Sequence, residues 1–484
     1  VAFHIGYLFD AIVCVWVTAQ AMYSMVLFVD LYLFSLPTNF VDMGEPLSIP
    51  ESEYPYIVLY YPVLRELEQT MRTTFSCLDQ LEYPRQRFKI VAIPNSNDLE
   101  TIASLERLQA EYRWLQIVPV PPTSDPRWSV VWSAWDANEK AYWWRRGKRA
   151  GVRDLPAKKT RQLIYAFYTT FAELKDHEPG FVINYIDADS CPPTDHFLAA
   201  AKGLRHFDVL QSQNISGNLN RSAAETLCAY DHMTWDGYKY AHLSADGRQP
   251  YWVLGKGLFF KGADLMALGG FHPWITIEDP EVGLRFWKNG RRLGVIEGSL
   301  IEEVPNTFAK AVTQRKRWVC GFFQSLNRPP GHLNYTPWER LKAWMIFIPC
   351  LSQAIHLIGV PTGIWALWLL IAHPGALPEW TLIFACVNLT VLAVSMSFLY
   401  VRIWRRTALV CARTRDRVWY MLRINPVAIL IWQIMWIVPL VIGFRMFLRD
   451  EGLAWERTEK VDANHNLIHI KTAERAPRTG TVER

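Results

Sequence analysis

Residues 181–190 read FVINYIDADS, a short and largely apolar run that ends on two carboxylates one residue apart, Asp187 and Asp189. The run is too short for an ordinary helix and is rich in aromatic and β-branched residues, so it predicts a strand over 181–186. Three earlier stretches have the same character: 56-YIVLYY-61, 88-FKIVAI-93 and 115-LQIVPV-120. Helical patterns separate them, 68-EQTMRTTFSCLDQL-81 and then 98-DLETIASLERLQAEY-112, the second with Asp98 placed to cap its first turn. Apolar strands alternating with helices predict an α/β fold around a mostly parallel sheet covered on both faces. Ligands of such sheets bind beyond the carboxyl ends of the strands, where Asp187 and Asp189 stand. Two carboxylates there suit a hard divalent cation that keeps several waters and is shared with substrate phosphates. Taken alone, they also suit a solvated acidic turn.

The remainder of the chain is of a different kind. Of 484 residues half are hydrophobic, and 22 Trp and 24 Phe exceed what a soluble enzyme needs. The mean hydropathy is only +0.01, so apolar and polar segments are separated along the chain, as in a soluble domain joined to membrane helices. A net charge of +5 gives no argument for nucleic acid, and none is expected as a partner. The eight cysteines (14, 77, 191, 228, 320, 350, 386, 411) form no CxxC pair, which argues against a zinc site or a disulfide framework and suits a reducing compartment. The first apolar segment has neither a basic flank nor a clear cleavage site, so no cleavable signal is expected.

A bilayer core takes roughly 20 apolar helical residues to cross. Four regions qualify: 11–29 with an apolar extension to about Leu36, 343–378, 380–401 and 424–444. The second is too long for one straight span, with break points at Pro349 and Pro361, and reads as an interfacial lead-in followed by a helix ending near His373-Pro374-Gly375. The stretch 402-RIWRRTALVCARTRDRVWYMLR-423 carries seven Arg against one Asp, which assigns it to the cytoplasmic side and puts 40–340 in the cytosol. Full crossing by 424–444 would leave the tail outside, whereas a re-entrant or interfacial hairpin at Pro439 would keep it inside.

Two further clusters carry charge. Glu278-Asp279, in 274-WITIEDPEVGLRF-286, sits at the start of an amphipathic pattern, where it could complement a helix dipole or remove a proton from an acceptor hydroxyl. Gln314-Arg315-Lys316-Arg317-Trp318 precedes the membrane segment. It suits anionic lipid, or a diphosphate gripped by Arg317 and Gln314 with Trp318 stacked on a sugar. The insert 126-PRWSVVWSAWDANEKAYWWRRGKR-149 offers Trp128, Trp132, Trp135, Trp143 and Trp144 for a sugar surface, a membrane belt or plain packing. His232, His242 and His272 lack ligand spacing and read as structural.

In this order and spacing the motifs resemble those of the membrane-integrated family 2 glycosyltransferases, the group that holds cellulose, chitin and hyaluronan synthases. The resemblance covers roughly residues 55–340 and implies a GT-A domain, a Rossmann-like mixed α/β sheet, with an α-helical transmembrane region. It implies that Asp98 contacts the uracil of a UDP-sugar, with Pro62 and Glu66 framing the nucleotide. Asp189 would hold Mg2+ or Mn2+ with Asp187 assisting at metal and nucleotide, and Asp279 beside Glu278 would be the base. Gln314 and Arg317 would bind the diphosphate and Trp318 the acceptor. The stretch 158-KKTR-161 falls where the family has a lysine near the nucleotide, and Lys158, Lys159 and Arg161 all stand there, Lys159 being carried forward. Gly255, in 254-LGKGLFFKGADLMALGGF-271, belongs to the acceptor-side wall.

Two positions depart from the family pattern: 94-PNSNDLETI-102 carries less acid than many relatives, and Ile277 stands where Thr is common, with Thr276 adjacent. The late 455-WERTEK-460 resembles a cytosolic tail motif. The implied organisation is an N-terminal membrane helix at 1–40, the GT-A domain at 41–304 and interfacial helices at 305–342. Membrane helices with a basic loop follow at 343–448, and then a tail at 449–484 on the cytosolic side. The implied protein is a multi-pass inner-membrane enzyme. It would be an inverting enzyme that uses a UDP-hexose, UDP-glucose foremost, to extend and export a β-linked polysaccharide. Its partners would be the donor, the growing glycan, membrane lipid, and an export protein or a second copy. The alternatives are transfer of one sugar to a lipid carrier and a scaffold with a decayed domain.

Overall fold

The computed structural model describes residues 2–174, 180–327, 335–351, 353–375, 377–451 and 464, so the 455–460 motif lies outside the described residues. Seven strands form one sheet in the order β3-β2-β1-β4-β6-β5-β7. They are β1 (Tyr56–Val63), β2 (Phe88–Pro94), β3 (Leu115–Ile117), β4 (Phe181–Tyr185), β5 (Val209–Ser216), β6 (Leu258–Lys261) and β7 (Leu293–Glu302). The β3-β2-β1-β4 half is parallel, and β6 runs antiparallel between β4 and β5. This is the mixed α/β sheet of a GT-A domain. Val118 N and Val120 N still donate to Ala92 O at 2.9 Å and Pro94 O at 2.8 Å, but Pro94 has no N–H to return, so the run 115–120 keeps regular strand pairing only over 115–117.

Alternation along β1 assigns the two faces. Ile57, Leu59 and Tyr61 point to one layer with Met71, Phe75, Leu105 and Leu108, while Val58 and Tyr60 point to the other. The first layer holds α2 (Glu68–Asp79) and α3 (Leu99–Glu111), the latter capped as expected by Asp98, whose Oδ1 accepts from Thr101 N at 3.4 Å. The second layer holds α4 (Lys159–Leu174) and the Trp-rich insert. Trp128 and Trp135 are fully buried, and Trp132 and Trp144 stack 8° from parallel. The insert is therefore core packing, and neither a sugar surface nor a membrane belt.

Among the described residues four helices are long and apolar enough to cross a membrane, in Ala11–Tyr32, Ile355–Ala372, Glu379–Thr407 and Pro426–Leu448. They belong to α1 (Ala2–Ser35), to α9 (Gln353–Ala372), α10 (Glu379–Thr407) and α12 (Pro426–Leu448). Between sheet and membrane helices lie α5 (Ala223–Thr234), α6 (Asp279–Lys288), α7 (Phe308–Leu326) and α8 (Pro337–Leu351), and α11 (Thr414–Arg423) follows α10. The 343–378 run divides into α8 and α9, the second ending directly before His373, although Pro361 lies inside α9. Gln20 Nε2 donates to Gly359 O at 3.0 Å and Thr362 Oγ1 at 2.6 Å, and Ser24 Oγ donates to Asn388 Oδ1 at 2.8 Å. Such polar links hold helices together where apolar surface alone gives no preference between helix and lipid. Val15, Phe28, Ile371 and Val427 on these helices stay exposed. α12 is one continuous helix through Pro439, with no hairpin in it.

α12 lies against α7. At Gly443 a Cβ would stand 2.6 Å from the Lys316 carbonyl oxygen, so only glycine permits this approach. The two helices share a buried ion pair. Arg315 donates to Asp231 Oδ2 on α5 from Nε at 3.1 Å and Nη2 at 2.8 Å. Trp432 and Trp436 on α12 donate their indole N–H groups to the same carboxylate at 2.8 and 3.0 Å, and the guanidinium lies 4.6 Å from the Trp432 ring centroid. Arg315 thus lies in the interior, joining sheet domain to apolar helix, and is no lipid-facing cation. Replacing Arg315 by Met should cost about 3–5 kcal/mol by leaving Asp231 charged and buried. Thermal unfolding in detergent should show the loss, and the Arg315→Met/Asp231→Leu double variant should regain part of it.

Candidate active site

The carboxyl ends of β1 and β4, the start of α4, the start of α6 and one face of α7 enclose a single cavity. Pro62, Leu64 and Glu66 line it from the turn after β1. That turn contains Arg65 at φ 48°, a left-handed backbone, and Arg65 N donates to Asp98 Oδ2 at 2.7 Å. Asp98 thus spends its carboxylate on two backbone amides and stands outside the cavity lining, shaping the turn that carries Glu66.

Asp187 and Asp189 follow β4 directly. Asp187 Oδ1 lies 2.5 Å from Lys159 Nζ, and its side chain is 42 % exposed. Asp189 is buried, and its Oδ2 accepts from Glu303 N at 2.7 Å. Ser190 Oγ accepts from Asp187 N at 3.1 Å and donates to Glu302 Oε1 at 2.7 Å, while Glu302 is ion-paired to Lys256. Burial and the charges of Asp189 and Asp187 raise the Glu302 pKa to about 7, with Lys256 opposing. Asn464, from the far end of the chain, donates to the Asp189 carbonyl at 3.2 Å.

Asp279 is the first residue of α6 and Glu278 caps it. Asp279 Oδ2 accepts from Gly255 N at 2.8 Å, and the carbonyl of the same Gly255 accepts from Lys159 Nζ at 2.5 Å. A Cβ on Gly255 would stand 3.3 Å from Asp279 Oδ2 and 3.4 Å from Lys159 Nζ, so a side chain would crowd both. One glycine therefore joins the Asp187 ion pair to the second acidic pair. Burial and the adjacent Glu278 raise the Asp279 pKa to about 7, and Lys159 pulls it back. Glu278 Oε2 accepts from Thr160 Oγ1 at 3.2 Å. Burial lowers the Lys159 pKa, but Asp187, Glu278 and Asp279 outweigh it and raise it overall.

The structure separates the candidates in 158-KKTR-161. Lys159 reaches Asp187, Lys158 Nζ is bonded to the Ile275 carbonyl, and Arg161 donates to Asn95 Oδ1 at 2.7 Å away from the cavity lining. On α7, Gln314, Arg317 and Trp318 share one helical face and line the cavity, whereas Arg315 faces the interior. His232 is part of the wall, its ring 6.2 Å from that of Trp318, while His242 and His272 lie elsewhere. Sequence reasoning missed Asp231, Trp235, Asp236, Trp252, Lys256, Phe322 and Trp436, which also line the cavity. Lys256 adjoins Gly255 and was within reach of a motif reading; Trp436 lies in an apolar helix whose sequence carries no such signal.

The donor set at the end of β4 fits a hard divalent cation. Asp187 is accessible and Asp189 is held in orientation by an amide, and both offer oxygen. Among the described residues no group of three His, Cys, Asp or Glu side chains converges, so the remaining ligands would come from phosphate and water.

The profile described as glycosyl transferase family group 2 matches residues 182–448, more than half of the chain. No curated protein sequence matches. Similar solved structures include the mannosyltransferase PcManGT from Pyrobaculum calidifontis in complex with GDP-Man and Mn2+. Its TM-score is 0.47 at 15% identity, covering 91% of this chain and 98% of that one. TarS 1-349 from S. aureus has a TM-score of 0.34 at 12% identity, covering 76% and 89%. TarS 1-349 in complex with UDP-GlcNAc has a TM-score of 0.34 at 12% identity, covering 76% and 90%.

Two carboxylates are a partial coordination shell. Mn2+ should therefore bind the purified chain weakly and at least about tenfold more tightly when UDP is present. Calorimetry or electron paramagnetic resonance with and without UDP measures this, and equal affinities would count against a shared ion.

Proposed function

The chain belongs to glycosyl transferase family group 2, and from that premise we propose an inverting, metal-dependent transferase that extends a β-linked polysaccharide from a UDP-hexose, UDP-glucose foremost. One observation carries the reading: Asp279 and Lys159 hold the N–H and the carbonyl of Gly255, which brings a partly buried carboxylate beside the Asp187 pair.

Asp279 takes the proton of the acceptor hydroxyl as its oxygen attacks the anomeric carbon. The carbon–phosphate-oxygen bond breaks on the opposite face, and its electron pair leaves with UDP. Arg317, Gln314 and Lys159 hold the diphosphate as it gains charge, as fixed charges and hydrogen-bond donors. Mg2+ or Mn2+ at Asp187 and Asp189 would supply further neutralisation of the leaving group. Pro62, Glu66 and Asp98 frame the nucleotide, Asp98 also holding the turn that carries Glu66 through its bond from Arg65 N. Trp318 and Gly255 stand on the acceptor side. The Arg-rich stretch 402–423 supports a cytosolic catalytic domain in an inner membrane, with the helices as the route of export.

Asp279→Asn should lower transfer by about 10³-fold and leave UDP affinity within about threefold, since only proton removal is lost. Normal turnover by that variant would sink the assignment. The base works only as carboxylate, so kcat/KM should fall as pH drops through about 7. Lys159→Met, which removes the opposing charge, should move that limb to higher pH. Assays with UDP-Glc, UDP-GlcNAc, UDP-Gal and UDP-GlcA, followed by sizing of the product, test the rest. A product with one added sugar would favour transfer to a lipid carrier.

A further inference from the structure

The reaction described above makes no use of Asp236, although it lines the same cavity. It lies in the π-helical turn Trp235–Lys239, a form of backbone that recurs at functional sites. Asp236 is 8 % exposed, and its Oδ2 accepts from Asn214 Nδ2 at 3.2 Å. Among the described residues its other oxygen has no hydrogen-bond partner and no cation lies within ion-pair distance; Lys256 and Arg406 act on it only through space. A buried carboxylate in a cavity wall, with one oxygen unused, is costly to maintain unless something binds there.

The turn is held from two membrane helices. Lys239 is paired with Asp30 of α1 at 2.8 Å. Arg406, at the end of α10, lies over Gly237 so closely that a Cβ there would stand 2.5 Å from its Nε. The same guanidinium donates to Gln213 Oε1 at 2.5 Å, to the Asn214 carbonyl at 3.0 Å and to Ser299 Oγ at 3.0 Å. Asn214, which bonds Asp236, is therefore itself fixed by Arg406.

The cavity wall to which Asp236 belongs also includes Trp235, Trp252, Trp318, Phe322 and Trp436. Aromatic faces with a carboxylate acceptor are the chemistry of sugar recognition: ring faces cover the C–H surface, and the carboxylate accepts from hydroxyls. The same carboxylate would repel a phosphate. We infer that Asp236 binds hydroxyls of an uncharged sugar acceptor, so that a neutral glycan, and not a phosphate-bearing lipid, is the acceptor class of this site. This rests on the transferase reading above. Arg406 and Gly237 are positioning residues for it.

The test uses the full chain in lipid nanodiscs, with whichever of the four UDP-sugars gives wild-type nucleotide release. Cellotetraose and chitotetraose serve as neutral acceptors and citronellyl phosphate as the charged one. Asp236→Asn should raise the KM of the better neutral acceptor by about tenfold, the scale of one charge-assisted hydrogen bond, with kcat and the donor KM within about twofold. Gly237→Ala, which displaces Arg406, should move the same constant in the same direction. UDP affinity within about twofold of wild type certifies the fold of each variant, and the isosteric Asn substitution decides if an Ala substitution fails that check. An unchanged acceptor KM in Asp236→Asn overturns the assignment. So does a wild type that releases nucleotide yet leaves both tetrasaccharides unglycosylated. Absence of nucleotide release from every donor would instead remove the transferase reading itself.

Discussion

The buried pair between Arg315 and Asp231, closed by the indoles of Trp432 and Trp436, is the interaction on which the rest of the molecule depends. A charge pair taken out of water is stable only if its remaining hydrogen-bonding capacity is met. Here the two indole donors on α12 meet part of it for Asp231 and the Trp432 face covers the guanidinium. The consequence is geometric. With Arg315 turned into the interior, α7 presents Gln314, Arg317 and Trp318 to the cavity, because those positions lie on another helical face. An apolar helix thereby sets the orientation of polar residues in the sheet domain.

A second constraint acts inside the cavity. Asp187, Lys159, Gly255 and Asp279 form a chain of short contacts in which each member fixes the next. Lys159 holds Asp187 at one end and opposes the rise in the Asp279 pKa at the other, so the two acidic pairs are electrostatically linked without touching. The absence of a side chain at Gly255 is what lets them come this close. On the other side the π-turn transmits the arrangement of α1 and α10 to Asp236 through Lys239 and Arg406. The long apolar helices and the cavity are thus joined at two independent points.

Much of this was legible in the chain. Strands β1, β2 and β4 appeared as apolar runs because both faces of a covered parallel sheet are buried. The Asp98 cap, the four apolar helices and the acidic pairs were readable from local pattern. Where local pattern misled, a physical competitor is identifiable. Pro94 on β2 has no N–H to return to β3, which shortens that strand, and α9 accommodated Pro361 where a break was expected. The plain-packing reading of the Trp-rich insert, by contrast, holds, since its indoles fill the interior.

The sequence by itself determined the class of fold and the order in which carboxylates, basic residues and apolar helices occur, because strand and helix periodicities and helix caps are local properties. Only the tertiary structure decided which of several neighbours stands where: Lys159 and not Arg161 at Asp187, Arg315 turned to Asp231, Asp98 turned to backbone amides. It also brought Asp236 and Trp436, 200 residues apart in the chain, into one wall. The reason is directional. A side chain's role follows from what packs against its face of the element, and the partner that decides this is supplied by distant segments.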